Sequence, residues 1–214
     1  MTEPTEQSIE QLNLFATPLW KVETGLDCKP IKTLVYKIKD KYETNKVTNQ
    51  GGWQSPSFST KDLSPTLGLL FQFLDAAVRT SLDSIIIPNP VKMHSFWFNV
   101  NEKGNFNTLH HHRGALMSGV FYIETPENCG NISFERMDDS QYYLPENLET
   151  TNIFTGSSAK IAAVEGRLIL FPSWLLHLVE PSQTTKPRIS MSFNYILDGE
   201  KTAEELEPLG EKNN

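Results

Sequence analysis

The sequence is poor in several features that mark common protein classes. It has only two cysteines, Cys28 and Cys129, far apart in the chain. They form no CxxC pair and no zinc spacing, which excludes a disulfide-rich scaffold and a cysteine zinc module. Two scattered thiols read as small buried side chains in a reducing compartment, with one disulfide as the remaining option. No apolar run approaches the ~20 residues that a membrane-spanning helix needs. The first residues, MTEPTEQSIEQ, are polar and acidic and lack the basic and apolar segments of a secretory signal. No block of Lys and Arg stands out and the net charge is −7, which argues against nucleic acid as the main partner. These absences lead us to expect a cytoplasmic chain with no membrane and no nucleic-acid partner. They leave its oligomeric state open.

Twelve Phe and four Trp supply large apolar side chains, and 214 residues suit one domain with its own core. No internal repeat or strong linker divides the chain. The expected organisation is a flexible tail over 1–11, a single domain over 12–198 and an acidic tail over 199–214. Leu12 to Trp20 reads as a short strand, placed at an edge or bend by Pro18. Ile31, Leu34, Val35, Ile38 and Tyr42 follow helical spacing with lysines opposite. A second helix is expected near Ser64-Pro65, with the serine as cap and the proline at the first position. Its apolar face is Leu67, Leu70, Phe71, Leu74, Ala77 and Val78. Both helices read as core-packing elements without chemistry of their own.

From about residue 90 the texture changes to short runs of aromatic and β-branched residues. They are 93–100, 116–124, 131–135, 161–164, 167–171 and 189–197. Turn signals such as Lys103-Gly104-Asn105 and Glu165-Gly166 separate them. This pattern predicts an all-β sandwich or barrel. The polar stretch 136–160 is long for a structureless connection and reads as a functional loop or lid.

Five histidines occur, three of them consecutive: His110, His111 and His112. On an extended segment His110 and His112 share a face and His111 points away. Two imidazoles so spaced can grip one metal ion, and His177, beyond the run Arg167 to Phe171, is the candidate third ligand. Taken alone, the tract could equally be a solvated one. His94 reads as an ordinary strand histidine. Eleven residues after His177 comes Arg188, where period two puts Arg188, Ser190, Ser192 and Asn194 on one face and Ile189, Met191, Phe193 and Tyr195 on the other. That polar face either meets water on an edge strand or lines a barrel interior. In the second case the guanidinium offers a planar fork for a carboxylate, with a hydroxyl two residues on.

A histidine pair at i and i+2, a distal histidine, and Arg-x-Ser about ten residues later resemble the iron(II)/2-oxoglutarate-dependent dioxygenases. The closer resemblance is to the 2OG-Fe(II) oxygenase family whose ordered segments are similar to 14–20, Asn107 to His112, Ser118 to Tyr122, Gly166 to His177 and Arg188 to Asn194. Together these span about residues 12–197. The resemblance implies a mainly β fold, a double-stranded β-helix (jelly-roll) barrel with helices packed on the outside of one sheet. It implies a hydroxylase that oxidises a C–H bond of an unidentified substrate with dioxygen and 2-oxoglutarate, releasing succinate and carbon dioxide. It also implies metal ligation by His110, His112 and His177, and cosubstrate binding by Arg188 with Ser190, Tyr122 and Asn99. Trp97, Asn99 and Asn107 read equally as pocket lining or as core and turn residues. The wider superfamily places a carboxylate where His112 stands, so an acid from elsewhere, such as Glu124, is the alternative third ligand. Two rival functions remain at this stage. One is a cupin-type three-histidine metal dioxygenase that needs no 2-oxoglutarate, and the other is a non-catalytic jelly-roll binding module.

Overall fold

A strand that is apolar at every position must be covered on both faces, whereas a strand with one polar face must turn that face to water or to a site. The protein is known from a computed structural model, which describes residues 10–45, 47–87, 90–145, 148 and 150–199. Most of the expected tails, 1–9 and 200–214, lie outside the described residues. The elements in chain order are β1 (Trp20–Glu23), α1 (Lys29–Lys39), β2 (Asn49–Gln50), β3 (Trp53–Gln54) and α2 (Gly68–Ser84), followed by β4 (Val91–Asn101), β5 (Phe106–His110) and β6 (Met117–Glu124). Then come β7 (Ile132–Glu135), β8 (Ser158–Ile161), β9 (Arg167–Pro172), β10 (His177–Val179) and β11 (Arg188–Leu197). They form a six-stranded sheet in the order β1-β9-β6-β11-β4-β3 and a five-stranded sheet in the order β2-β5-β10-β7-β8. Two facing antiparallel sheets with helices outside the larger one are the expected jelly-roll barrel. None of the described helices is long and apolar enough to cross a membrane.

Alternation assigns the two cores. On β6, Phe121 and Ile123 face outward and pack with Leu168 and Leu170 of β9 against Ile31 and Val35 of α1 and Leu70, Leu74 and Val78 of α2. On the other face, Val120, Tyr122, Ile169 and Phe171 meet Ile132 and Phe134 of the smaller sheet. These strands are therefore apolar on both faces because both are covered. Strand β11 differs: Ile189, Met191, Phe193 and Tyr195 join the outer core, while Arg188, Ser190 and Ser192 line a cavity between the sheets. The barrel interior thus has an apolar half on β6, β9 and β7 and a polar half on β4 and β11. β6 and β11 approach closely at Gly119, where a Cβ would lie 2.4 Å from Cζ of Phe193.

The helices start as their sequence signals require. Pro30 occupies the first turn of α1, and Lys37 and Lys39 sit in its last turn, where the helix dipole favours positive charge. Ser64 caps a 3-10 turn at Pro65–Leu67 that leads into α2. Two expectations are corrected. The strand expected over Leu12 to Trp20 begins only at Trp20, because Phe15 has φ +53° and breaks the extended run. The strand expected at 161–164 is Ser158–Ile161 instead. Its pairing with β7 ends at Ile161 opposite Ile132, and the Ala162 carbonyl accepts from Arg167 Nη1 at 3.0 Å. Both cysteines are free and buried.

Candidate metal centre

The three histidines come from three positions that the sheet brings together. β5 and β10 pair so that His110 stands directly opposite His177, with ring centroids 4.3 Å apart. His112 lies two residues beyond the end of β5, and its ring is 5.1 Å from His110 and 5.2 Å from His177. Ligand-capable nitrogens of the three lie within 4.8 Å of one another, and among the described residues no carboxylate or thiol joins this group. His111 stands outside it, as strand parity requires. His94 is half-buried on β4, also outside it. Glu124 does not complete the site. A register shift between Ile189 and Ser190 interrupts the pairing beside it, and its carboxylate accepts from Lys32 of α1 at 2.6 Å.

Each ring already has one nitrogen committed. His110 Nδ1 faces the Thr108 carbonyl at 2.7 Å, His177 Nδ1 the Leu175 carbonyl at 2.9 Å, and His112 Nδ1 the Asn194 amide oxygen at 2.6 Å. An acceptor at Nδ1 places the proton there and leaves the Nε2 lone pair for a metal. Burial strengthens this. Desolvation lowers the pKa of all three, to about 4 for His112 and about 3 for His177. Such an imidazole keeps its lone pair at pH values where a free histidine, near 6.5, is protonated.

The same shifts predict a stability profile with a definite sign. A folded-state pKa below the unfolded value contributes stability that is fully present above pH 6.5 and lost as pH falls toward the folded values. Thermal melts of the metal-free chain are expected to fall between pH 6.5 and 4.5, above the range where most carboxylates titrate. That slope should flatten in a His177→Gln variant. An unchanged slope would place the buried protonation cost elsewhere.

Beside the histidines lies a small, partly enclosed cavity. Arg188, 2 % exposed, reaches it from the start of β11. Its Nη1 donates to the carbonyls of Cys129 and Gly130. Gly130 has φ +86°, and a Cβ there would lie 2.4 Å from the Glu180 carbonyl oxygen and 3.0 Å from Arg188 Nη1. Glycine is therefore what lets this turn close on the guanidinium. Among the described residues no Asp or Glu pairs with Arg188; its charged form is disfavoured chiefly by desolvation, and the side chains acting on it are Tyr122 and Cys129. Tyr122 is fully buried and its phenol is pushed up to about 12, so it remains a protonated donor. Ser190 lines the same cavity. So does Asn99, whose amide is engaged with Asn49 at 3.2 Å and Ser192 at 3.4 Å. Asn107 lines it too, with its amide donating to Thr48 at 3.4 Å. Trp97 stacks obliquely on His112 with centroids 5.6 Å apart.

Residues 95–194 match the family model described as "Putative 2OG-Fe(II) oxygenase". Through that stretch, just under half of its length, the chain is similar to this family. The family's cofactors are iron(II) and 2-oxoglutarate, and the matched residues contain all three histidines and Arg188. No curated protein matches the sequence. Solved structures show the fold. A prolyl-4-hydroxylase from Pseudomonas putida has a TM-score of 0.59 at 14% identity, over 86% of this chain and 94% of that one. HygX from Streptomyces hygroscopicus, solved with nickel and 2-oxoglutarate, has a TM-score of 0.54 at 11% identity, covering 87% and 85%. The non-heme α-ketoglutarate-dependent epimerase SnoN from nogalamycin biosynthesis has 0.58 at 15% identity, covering 85% and 77%.

The oxygenase sequence pattern did not single out Asn194, Ser118 and Ser173 as functional residues. The available signal for Asn194 was its parity: it stands on the inward face of β11, six residues after Arg188.

Proposed function

We propose that the chain binds iron(II) through Nε2 of His110, His112 and His177 and 2-oxoglutarate through Arg188, and hydroxylates a C–H bond of its substrate. The observation that carries this reading is a buried guanidinium that has no acidic partner among the described residues, in the cavity beside three imidazoles turned by their hydrogen bonds to present Nε2. A buried charge is costly unless it is paired. Here the missing partner is an anion, and a diacid that reaches the histidines at one end and Arg188 at the other supplies it. Iron(II), when bound, supplies activation of dioxygen coupled to decarboxylation of 2-oxoglutarate to succinate and carbon dioxide.

The protein's own contributions follow from position. Arg188 takes the far carboxylate through a planar fork, and Tyr122 and Ser190 add neutral donors. Asn99, already bonded to two neighbours, shapes the polar wall more than it contacts the diacid. Val120, Ile132 and Phe171 form an apolar wall that keeps water from the site. Trp97 covers one side of His112.

A cupin-type dioxygenase would share three histidines but have no need of an unpaired buried arginine, so Arg188 favours the 2-oxoglutarate reading. The prolyl-4-hydroxylase and the epimerase among the structural relatives share the fold while differing in reaction. Hydroxylation, and residues 12–198 acting as one unit, rest on the family resemblance. Three neutral imidazoles also leave both metal charges without a protein counter-ion. Iron binding and diacid binding are therefore coupled, by on the order of tenfold or more.

The test is an anaerobic titration of iron(II) with and without 2-oxoglutarate, followed by the visible charge-transfer band and then by succinate release on admitting oxygen. Tight iron binding with the diacid, a new band and succinate are expected. Equal iron affinity in both arms would remove the coupling, and absence of both band and succinate would remove the assignment.

A further inference from the structure

The three histidines are held in different ways. His110 and His177 each direct Nδ1 to a backbone carbonyl two residues earlier in their own segment. Those bonds form wherever the local backbone is right. His112 lies beyond the end of β5 and has no strand pairing of its own. Its Nδ1 goes to a side chain, Asn194 of β11, at 2.6 Å.

Asn194 in turn belongs to a closed ring. Its Oδ1 accepts from Ser118 Oγ of β6 at 2.8 Å. Ser118 Oγ lies 2.7 Å from Ser173 Oγ, in the turn between β9 and β10. Because Ser118 spends its proton on Asn194, Ser173 is the donor in that pair. The Ser173 carbonyl then accepts the backbone N–H of His112 at 2.9 Å. Both serines are fully buried. The ring therefore grips His112 at its backbone and at its imidazole, using β6, β11 and the β9–β10 turn.

We infer that Asn194 is the positioning residue of the metal centre: through the Asn194–Ser118–Ser173 ring it fixes the Nδ1–H tautomer and orientation of His112, and so makes a third ligand of a residue that no strand holds. The inference rests on the metal-centre reading for its purpose but not for its geometry. Oδ1 accepts two hydrogen bonds, which fixes the orientation of the amide. A neutral amide oxygen also orients the imidazole without drawing its proton away, as a carboxylate would do more strongly.

Two measurements test this. In the metal-free chain, nitrogen-15 NMR of the imidazoles should show His112 as a single Nδ1–H tautomer. Asn194→Leu should turn it into a mixture while His110 and His177 stay as they are. In cobalt(II) titrations Asn194→Leu should lose about 10–100-fold in affinity, the usual effect of removing a ligand's outer partner. It should also alter the d–d spectrum, and Asn194→Asp should bind at least as tightly as the wild type. Ser118→Ala is a milder change that leaves Asn194 in place. It should shift tautomer and affinity in the same direction by less, and it decides the matter if leucine at 194 prevents folding. A folded Asn194→Leu or Ser118→Ala protein with the wild-type tautomer and cobalt affinity would overturn the inference. A wild-type chain that binds no cobalt would overturn the metal centre instead, and the tautomer measurement, which needs no metal, would still decide the ring.

Discussion

Replacing His177 by alanine is expected to abolish metal binding, whereas His111→Ala should leave it unchanged. His177 is the central member of the group: it is 4 % exposed and stands opposite His110 across the β5–β10 pair. Removing it leaves two imidazoles on one segment, and an open bidentate pair holds a divalent ion far more weakly than a closed set of three. The loss should exceed the roughly 100-fold upper end seen when only an outer partner of a ligand is removed. His177 also packs against Phe171 at 4.7 Å and Phe134 at 6.0 Å, so alanine leaves a cavity. His177→Gln keeps most of the volume and separates the two effects. It should fold and still fail to bind. His111 is adjacent in sequence but outside the nitrogen cluster, which makes it the control for non-specific histidine binding. Calorimetric titration with cobalt(II) reads all three variants, and equal loss on His111→Ala and His177→Ala would refute the geometry.

Arg188→Met should weaken 2-oxoglutarate binding by roughly 10–150-fold, the equivalent of a charge-assisted hydrogen bond worth about 1.5–3 kcal/mol. The same change should leave the melting temperature of the ligand-free protein level or raise it. The reason is that the ligand-free chain buries a guanidinium whose charge is opposed by desolvation, with no carboxylate acting on it among the described residues; removing that charge relieves the fold and offsets the loss of its hydrogen bonds to the Cys129 and Gly130 carbonyls. Binding and stability thus move in opposite directions at one residue, an outcome that a purely structural arginine would not give. Equilibrium dialysis with labelled 2-oxoglutarate and a thermal melt on the same sample check both. A large fall in melting temperature with unchanged binding would assign Arg188 to the core.

Parity made the centre legible. His110 and His112 rather than His111, and Arg188 with Ser190 and Ser192 rather than Ile189 with Met191, follow from period two alone once the segments are extended. The outer core was legible for the same reason, since the helical stripes of α1 and α2 needed a sheet to cover. Short elements were less so. β2, β3 and β10 are two or three residues long, and so brief a run carries no periodicity to read. β5 lies in the polar text Phe106-Asn107-Thr108-Leu109-His110, whose strand character comes from pairing with β2 and β10 rather than from propensity. Glu124 is excluded because it pairs with Ile189 at the Arg188 end of β6, whereas His112 is held at the Ser118–Asn194 end, a separation that only the strand pairing shows. The Asn194 ring joins three segments distant in sequence, and only the folded sheet shows that Ser118 and Ser173 meet. Within 136–160, Arg136 Nη1 donates to the carbonyls of Phe154 and Gly156 at 2.8 and 3.1 Å, and Asp138 caps a 3-10 turn at Asp139–Tyr143.

The proposed all-imidazole donor set would have a consequence for which ion the chain takes up. Neutral nitrogen ligands rank divalent ions by the Irving–Williams order, in which iron(II) stands below cobalt, nickel and copper. The proposed centre of His110, His112 and His177 would therefore not select iron by affinity. Its occupancy would follow whichever ion the surroundings offer when the chain folds, and a preparation made in nickel- or zinc-rich medium would arrive already filled with the wrong one.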